Sequence, residues 1–450
     1  MGQKWLHKGS YSLIGNVFQL GFAFLTFLIL VRVLSPEALG TWVLYMLVMS
    51  IVDMTRQGFV QQGLVKFGSE DTSAYSSING AALFLQLGIS IALSVILWVG
   101  APFLAALWKA PDLLILLQFS FVYIFPSAIL RFMEGIFLVN QAYKKLAILY
   151  FLYGIFFASG ILVWILVGKE ATLFYLLIGQ CGSFLLSSAC MLVAISAYWK
   201  VSYPTKEWIS KLFHYGKFTL GNNLSSLAFQ KTDVMMLGAF LGPTSVAVYN
   251  VATKICTYIE VPLKSAAQVI FPNMSKSYNQ DGVSGIKSLY LNGTAILIGI
   301  IWPIAVVTFL LADEIILLLA GKEYLQAKPV LFILLIHVLL KPIGNMMGTT
   351  LDAVGKPKVN FMILLLSLGL NLTCNYFFIP LWGIEGAAIA TVSTVVISLT
   401  AGQFYTYRIF SFHGLQALKY VLPVYTNLFS SALERIQTKR INHTVSKKEG

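Results

Sequence analysis

Apolar stretches about 20 residues long recur along the whole of this chain, and they constrain its fold more than any other feature. A helix of that length spans the hydrocarbon core of a bilayer, because each residue advances it by about 1.5 Å. Hydrophobic residues make up 58% of the chain and charged residues only 11%, whereas soluble domains carry roughly 25% charged residues. The sequence therefore predicts an all-α polytopic membrane protein.

A motif next to the first apolar stretch occurs again in the middle of the chain. The first copy, VRVLSPEALGTWVLYMLV, begins at Val31, and the second, GAFLGPTSVAVYNVATKI, begins at Gly238, 207 residues later. A weaker correspondence links LVNQAYKKL at Leu138 with LDAVGKPKV at Leu351, 213 residues later. Like-oriented halves are typical of transporters built as two lobes around a central path. The repeat therefore predicts transport across a bilayer.

The apolar stretches predict about twelve transmembrane helices in two six-helix lobes around a central cavity. The expected spans are residues 11–31, 41–65, 79–100, 113–138, 146–167, 172–198, 218–241, 245–271, 289–311, 329–350, 359–379 and 386–407. We expect an N-terminal lobe at 1–199, a cytoplasmic linker at 200–217, a C-terminal lobe at 218–407 and a basic cytoplasmic tail at 408–450. For residues 415–436 we favour a helix that lies on the membrane surface, with a further span as the alternative.

The basic residues predict the orientation of the chain. With a cytoplasmic N-terminus, the inner segments hold 20 lysines and arginines and the outer loops hold five. Such an excess marks the cytoplasmic side, so both termini are predicted to be cytoplasmic, and the net charge of +13 needs no nucleic-acid partner. The cysteines and histidines have no metal-ligand spacing, and the sequence contains no phosphate-binding loop. We therefore expect no metal, no cofactor and no enzymatic activity.

Charged side chains inside the expected spans are the candidate functional residues, because each costs on the order of 2.5–3.5 kcal/mol at mid-bilayer. The basic ones are Arg56, Arg131, Lys231, Lys254, Lys264 and Lys341, and the acidic ones are Asp53, Glu134, Asp233 and Glu260. Residues three or four apart on one helix can pair. This spacing joins Asp53 to Arg56, Arg131 to Glu134, and Glu260 to Lys264. These pairs are equally consistent with structural packing and with function.

The seventh expected span differs from the others because its two charges cannot pair with each other. Lys231 and Asp233 are two residues apart, so on a helix they point about 200° away from each other. Asp233 continues a polar stripe at three- and four-residue spacing, formed with Asn223, Ser226 and Gln230. We expect this stripe to line a cavity, with hydrogen bonding to another helix as the alternative.

The charges in the spans favour an anionic cargo. Six cations and four acids leave a net charge of +2. Lysine and arginine hold phosphate groups by charge-assisted hydrogen bonds. We therefore expect pyrophosphate or acidic sugars to contact Arg56, Lys231, Lys254, Lys264 and Lys341. The expected charge partners or coupling sites are Asp53, Arg131, Glu134, Asp233 and Glu260.

Four segments resemble the polysaccharide transport family, which includes the Wzx-type O-antigen flippases. They are VRVLSPEALGTW from Val31, QAYKKL from Gln141, TDVMMLGAFLGPTSVAVYNVATKI from Thr232 and AVGKPK from Ala353. This family is part of the multidrug/oligosaccharidyl-lipid/polysaccharide exporter superfamily. The resemblance extends to about residue 410. The family usually has glycine just before the motif tyrosine, whereas this chain has Ala247 and Val248 before Tyr249.

The resemblance implies a flippase that moves an undecaprenyl-pyrophosphate-linked oligosaccharide from the cytoplasmic to the periplasmic leaflet of a bacterial inner membrane. It implies alternating access coupled to a proton or sodium gradient, with polysaccharide polymerase machinery as a further partner. One alternative is a multidrug exporter, which should have an acid-dominated cavity. Others are a lipid II flippase, typically with fourteen spans, and a membrane component of polysaccharide assembly that transports nothing.

Overall fold

The structure, a computed structural model, describes residues 2–167, 172–423, 425 and 426, without the side chains of 2–9, 222, 264–269 and 272. The first ten α-helices are α1 (Gly2–Val33), α2 (Pro36–Arg56), α3 (Gln62–Glu70), α4 (Tyr75–Leu107), α5 (Pro111–Gln118), α6 (Phe121–Val139), α7 (Tyr143–Leu166), α8 (Leu173–Cys190), α9 (Leu192–Ser196) and α10 (Lys206–Leu241). The others are α11 (Pro243–Ile259), α12 (Val261–Leu310), α13 (Ala312–Leu319), α14 (Lys328–Ala353) and α15 (Pro357–Phe410).

Glycine interrupts the two longest helices. Gly282 in α12 has a φ of 64° and Gly383 in α15 has a φ of 60°, both outside the helical range. Glycine adopts these angles readily because it has no Cβ. Both breaks fall in connections that the sequence predicts, between the spans ending at 271 and 379 and the spans that follow them. Each long helix is therefore two helices joined at a glycine.

The protein is a multi-pass membrane protein built from α-helices, as the sequence predicts. Within the described residues, nine helical stretches are long and apolar enough to cross a membrane. Two of these, Asn273–Leu310 and Pro357–Phe410, contain the glycine breaks. The number of twelve spans stays a prediction.

The contacts between residues divide the chain into two compact units. The first unit contains Met1–Asn250 and Leu319–Glu323, and the second contains Val251–Leu318 and Tyr324–Gly450. Helix α10 covers much of the expected linker at 200–217, because it begins at Lys206. It packs against α2, α3 and α4 in the first unit. The expected lobe boundaries stay predictions.

Small residues allow α10 to approach the end of α2 closely. A Cβ on Gly58 would lie 2.8 Å from Leu220 Cα, and a Cβ on Gly216 would lie 2.6 Å from Phe59 Cα. The Thr219 hydroxyl also donates a hydrogen bond of 2.5 Å to the carbonyl oxygen of Gly58. Interfaces between membrane helices are enriched in such small residues, because packing and hydrogen bonds hold the helices together there.

The two copies of the repeated motif contact each other within the first unit. A Cβ on Gly40, in the first copy, would lie 1.8 Å from the carbonyl oxygen of Pro243, in the second copy. Trp108, at the end of α4, donates its indole N–H to the carbonyl oxygen of Met235 over 3.1 Å. The turns after α1, α4 and α10 therefore meet, and all three are predicted to be outer turns.

Candidate functional site

Six side chains from α2, α6 and α7 form a network, which we call the charge network. Its members are Asp53, Arg56, Tyr123, Arg131, Glu134 and Tyr150. The structure confirms the two expected contacts within a helix, Asp53 with Arg56 and Arg131 with Glu134. It also joins these pairs to each other, which the spacing along the sequence alone does not require.

Arg56 is the most buried member of the charge network, since its side chain is only 1% exposed. Its guanidinium donates hydrogen bonds to Asp53 Oδ1, to the carbonyl oxygen of Ile124 over 2.7 Å and to the Ser127 hydroxyl over 2.8 Å. A buried guanidinium needs such partners because desolvation of an unpaired charge is costly. A contact between Arg56 and a cargo would require Arg56 to leave them.

Arg131 joins the two carboxylates of the charge network. Its Nη1 donates to Glu134 Oε2 over 2.9 Å, and its Nη2 donates to Asp53 Oδ2 over 3.2 Å. The Tyr123 hydroxyl donates to Asp53 over 3.1 Å, and the Tyr150 hydroxyl donates to Glu134 over 2.7 Å. Each carboxylate is therefore held by at least one arginine and by one tyrosine.

A π-helical turn follows Arg56 directly, at Gln57–Gln61. Such turns inside α-helices are frequent at functional sites. The same turn lines a small pocket together with Arg56, Gln86 and the partly exposed Arg131. The hydroxyl of Tyr45, a fully buried residue of α2, has no hydrogen-bond partner among the described residues. The charge network thus borders, on one side, a pocket with room for little more than one water molecule.

Lys231 and Asp233 lie near the end of α10, within the seventh expected span. The Tyr249 hydroxyl donates a hydrogen bond of 2.7 Å to Asp233 Oδ2. Lys231 is partly buried, and none of the ion pairs in the described part of the chain includes it. Asp233 thus has a partner on α11, whereas Lys231 contributes a positive charge that no carboxylate neutralises by contact.

The rest of the predicted polar stripe lies toward the middle of α10. The side-chain amide of Gln230 donates to the Ser226 hydroxyl over 3.1 Å. The amide nitrogen of Asn223 is buried and has no hydrogen-bond partner among the described residues. Neither observation decides between a cavity and a helix interface, so the role of the stripe stays a prediction.

Among the described residues of the second unit, an ion pair lies inside the expected spans. Lys341 Nζ on α14 donates to Glu260 Oε2, at the start of α12. The Glu260 side chain is 10% exposed and that of Lys341 is 37% exposed. Lys254 lies on α11, and the side chain of Lys264 is outside the described part of the structure. The expected contact between Glu260 and Lys264 therefore stays a prediction.

Two tyrosines of these contacts, Tyr123 and Tyr150, are absent from the residues that the sequence singles out, and Tyr249 enters there only as a residue of the repeated motif. A usable signal exists for Tyr123, because it begins a stripe on α6 that continues through Ser127 and Arg131 to Glu134. Those four residues are spaced by four, four and three positions, which places them on one face of a helix. Tyr150 has no such signal.

Curated relatives of this chain take part in glycan and capsule synthesis. The chain is 24% identical over 421 residues to the capsular polysaccharide biosynthesis protein CapF of Staphylococcus aureus, covering 89% of this chain and 99% of CapF. It is 26% identical over 195 residues to the protein named "Probable low-salt glycan biosynthesis flippase Agl15" of Haloferax volcanii. That match covers 43% of this chain but only 41% of Agl15, so it spans less than half of that relative.

Solved structures of transporters share the fold. The lipid II flippase MurJ, in an inward closed conformation, matches with a TM-score of 0.74 at 14% identity, over 94% of this chain and 93% of MurJ. An inward-facing MATE family transporter of the MOP superfamily matches with a TM-score of 0.69 at 16% identity, over 89% of this chain and 98% of the transporter.

The family model described as "Polysaccharide biosynthesis protein" matches residues 29–329, which is more than half of the 450 residues. This match agrees with the relatives from capsule and glycan synthesis and with the transporter fold. The resemblance to the polysaccharide exporters is confirmed, and the chain belongs to the polysaccharide biosynthesis protein family.

Proposed function

We propose that this protein is a flippase for an undecaprenyl-pyrophosphate-linked oligosaccharide, which it moves from the cytoplasmic to the periplasmic leaflet of a bacterial inner membrane. The oligosaccharide serves the synthesis of O-antigen, capsule or exopolysaccharide, and a polysaccharide polymerase consumes it. Both termini are cytoplasmic, and no covalent chemistry takes place on the protein. The names of the relatives Agl15 and CapF support this proposal.

The observation that carries the proposal is the state of the charges inside the expected spans. The two arginines of the charge network face two carboxylates, and Lys341 faces Glu260. Lys231 forms no ion pair within the described residues. A partly buried ammonium group binds a phosphate oxygen by a charge-assisted hydrogen bond. We therefore assign the pyrophosphate contact first to Lys231.

The same charges argue against a multidrug exporter for cationic compounds. Such a cargo requires a carboxylate that is available to it. In the described structure each of the four intramembrane acids accepts a hydrogen bond from an arginine, lysine or tyrosine: Asp53, Glu134, Asp233 and Glu260. A cationic cargo would have to displace these donors, whereas an anionic cargo would not.

We place ion coupling at the charge network. A proton or sodium ion that neutralises Glu134 or Asp53 weakens the hydrogen bonds from Arg131, because those bonds depend on the carboxylate charge. Arg131 is 32% exposed, the largest exposed fraction among the four charged residues of the network, and is therefore the member best able to change partners. This gives the network two states, as coupled transport requires.

Alternating access further requires that one side of the path close while the other opens. We propose that the contact between the two motif copies, Gly40 against Pro243, closes the outer side. Lys109 strengthens this closure by donating a hydrogen bond of 3.0 Å to the carbonyl oxygen of Phe240, at the C-terminal end of α10. A lysine in this position also interacts favourably with the helix dipole.

Proteoliposomes that contain a fluorescent undecaprenyl-pyrophosphate oligosaccharide test the proposal, with and without a proton or sodium gradient. We expect gradient-dependent movement of the label between leaflets, and we expect Lys231→Gln to abolish it without loss of monodispersity. Lys217→Gln is the matched control on the same helix, outside the expected span. Normal movement with a well-folded Lys231→Gln protein would remove Lys231 from the site. Movement of lipid II alone would favour the lipid II flippase.

A further inference from the structure

The chain beyond α15 returns to the second half of α12. Residues Gly414–Ala417 form a 3₁₀ turn, and residues 418–423, 425 and 426 are helical. We call residues 414–423, 425 and 426 the C-terminal segment. Its start is fixed, because the backbone N–H of Gly414 donates to Gln403 Oε1 over 2.6 Å, and the ring of Phe412 packs against that of Tyr290.

The C-terminal segment contacts α12 at two different levels. Tyr420 lines a shallow groove with five residues of α12 from Ser284 to Asn292, around the expected start of the span at residue 289. The Tyr425 hydroxyl donates a hydrogen bond to the carbonyl oxygen of Gly299. From residue 288, at the middle of that groove, to residue 299 a helix rises by about 16 Å. The segment therefore runs alongside α12 in the same direction.

Gly299 provides the space for this contact. A Cβ at this position would lie 3.4 Å from Tyr425 Cζ, already in van der Waals contact, so a side chain with atoms beyond Cβ would press on the tyrosine ring. Gly299 also lies near the middle of the expected span 289–311, in the apolar helical stretch Asn273–Leu310. A side chain that reaches Gly299 therefore reaches well into the hydrocarbon core.

We infer that the C-terminal segment enters the bilayer beside α12 and does not lie on the membrane surface. A surface helix would cross α12 at one level, so that Tyr420 and Tyr425 would contact α12 at the same depth. The outward side chains suit lipid, since Leu422 is 76% exposed. Lys419 precedes Tyr420, at the level of the expected start of the span at residue 289, where its ammonium group can extend to the headgroups. Residues 427–436 of the expected surface helix lie outside the described residues.

Depth measurements by electron paramagnetic resonance test this inference. In a variant without the four native cysteines, nitroxides are attached singly at Leu415, Leu422 and, as a depth reference on α12, Ile300. Collision rates with oxygen and with a water-soluble nickel complex give the depth of each label. We expect the Leu422 label to lie deeper than the Leu415 label, by on the order of 10 Å, and to approach the depth of Ile300. Equal depths at Leu415 and Leu422 would overturn the inference.

A second variant tests the contact at Gly299 without any transport assay. Gly299→Val should displace Tyr425 and move the Leu422 label toward water, whereas Ile296→Val, on the same helix, should leave the label in place. An unchanged label depth in a folded Gly299→Val protein would contradict the contact. Neither measurement depends on the identity of the cargo.

Discussion

The charge network of the first unit and the Glu260–Lys341 pair of the second unit both place charges inside the membrane, but they stabilise them differently. In the network, Arg56 is 1% exposed and donates to a carboxylate, a carbonyl and a hydroxyl. Lys341 is 37% exposed and donates to Glu260 alone among its recorded hydrogen bonds. Of these two cations, the more completely buried one has more hydrogen-bond partners. Arg56 therefore resembles a fixed part of the network, whereas Lys341 resembles Arg131, at 32% exposed, as a residue that can exchange its contact.

Removing Arg56 is expected to have the largest effect. Arg56→Met leaves Asp53 with less compensation and removes the guanidinium donor from the buried Ile124 carbonyl and Ser127 hydroxyl, which should cost about 3–5 kcal/mol of unfolding free energy. Reversible unfolding in mixed micelles measures this loss. Arg32→Gln, at an exposed position, is the control and should change stability little. A loss below about 1 kcal/mol for Arg56→Met would show that burial does not govern the network.

Neutralising Glu134 should abolish the coupling of transport to the ion gradient while the protein still folds. Glu134→Gln preserves the shape of the side chain but weakens its hydrogen bonds with Arg131 and Tyr150, which should cost about 1.5–3 kcal/mol. We expect this variant to lose the dependence of transport on the ion gradient. The comparison uses the exposed Glu37→Gln as control, in the same proteoliposomes. Gradient dependence that survives in Glu134→Gln would move the coupling site elsewhere.

The two regions also differ in how much of each could be predicted from sequence. Contacts within one helix follow from spacing, and so Asp53 with Arg56 and Arg131 with Glu134 could be predicted. The bond from Arg131 to Asp53 joins residues 78 positions apart, and the bond from Lys341 to Glu260 joins residues 81 positions apart. Those contacts depend on how helices pack, which helical periodicity does not specify.

The same reasoning applies to the fold. Apolar length predicts where membrane helices lie, and the breaks at Gly282 and Gly383 fall in predicted connections. The sequence gives no sign that α10 packs closely against the end of α2, because that contact depends on glycines on both helices, Gly58 and Gly216. It also gives no sign of the π-helical turn, since its residues are ordinary helix residues.

Reversing both charges of the second-unit pair together should have a smaller net effect than any change in the network. Each of Glu260→Lys and Lys341→Glu places two like charges together, so each should reduce stability and transport. The double variant restores opposite charges and should recover stability to within about 1 kcal/mol, because Lys341 is partly exposed. A double-mutant cycle measures this coupling energy. Recovery no better than the sum of the single effects would show that the contact contributes nothing.

Removing the Tyr249 hydroxyl should have the smallest effect of these changes. Tyr249→Phe keeps the ring but removes one hydrogen bond to Asp233, for which we expect a loss of about 0.5–1.5 kcal/mol. Tyr249 belongs to the second motif copy, and the first copy has Trp42 at the corresponding position. Because the ring still packs in Tyr249→Phe, the motif contact at Gly40 should remain and transport should continue at a reduced rate. Complete loss of transport with unchanged stability would instead mean that Tyr249 must hold Asp233 during transport. Asp233, in place of Lys231, would then be the first candidate for the functional residue of α10.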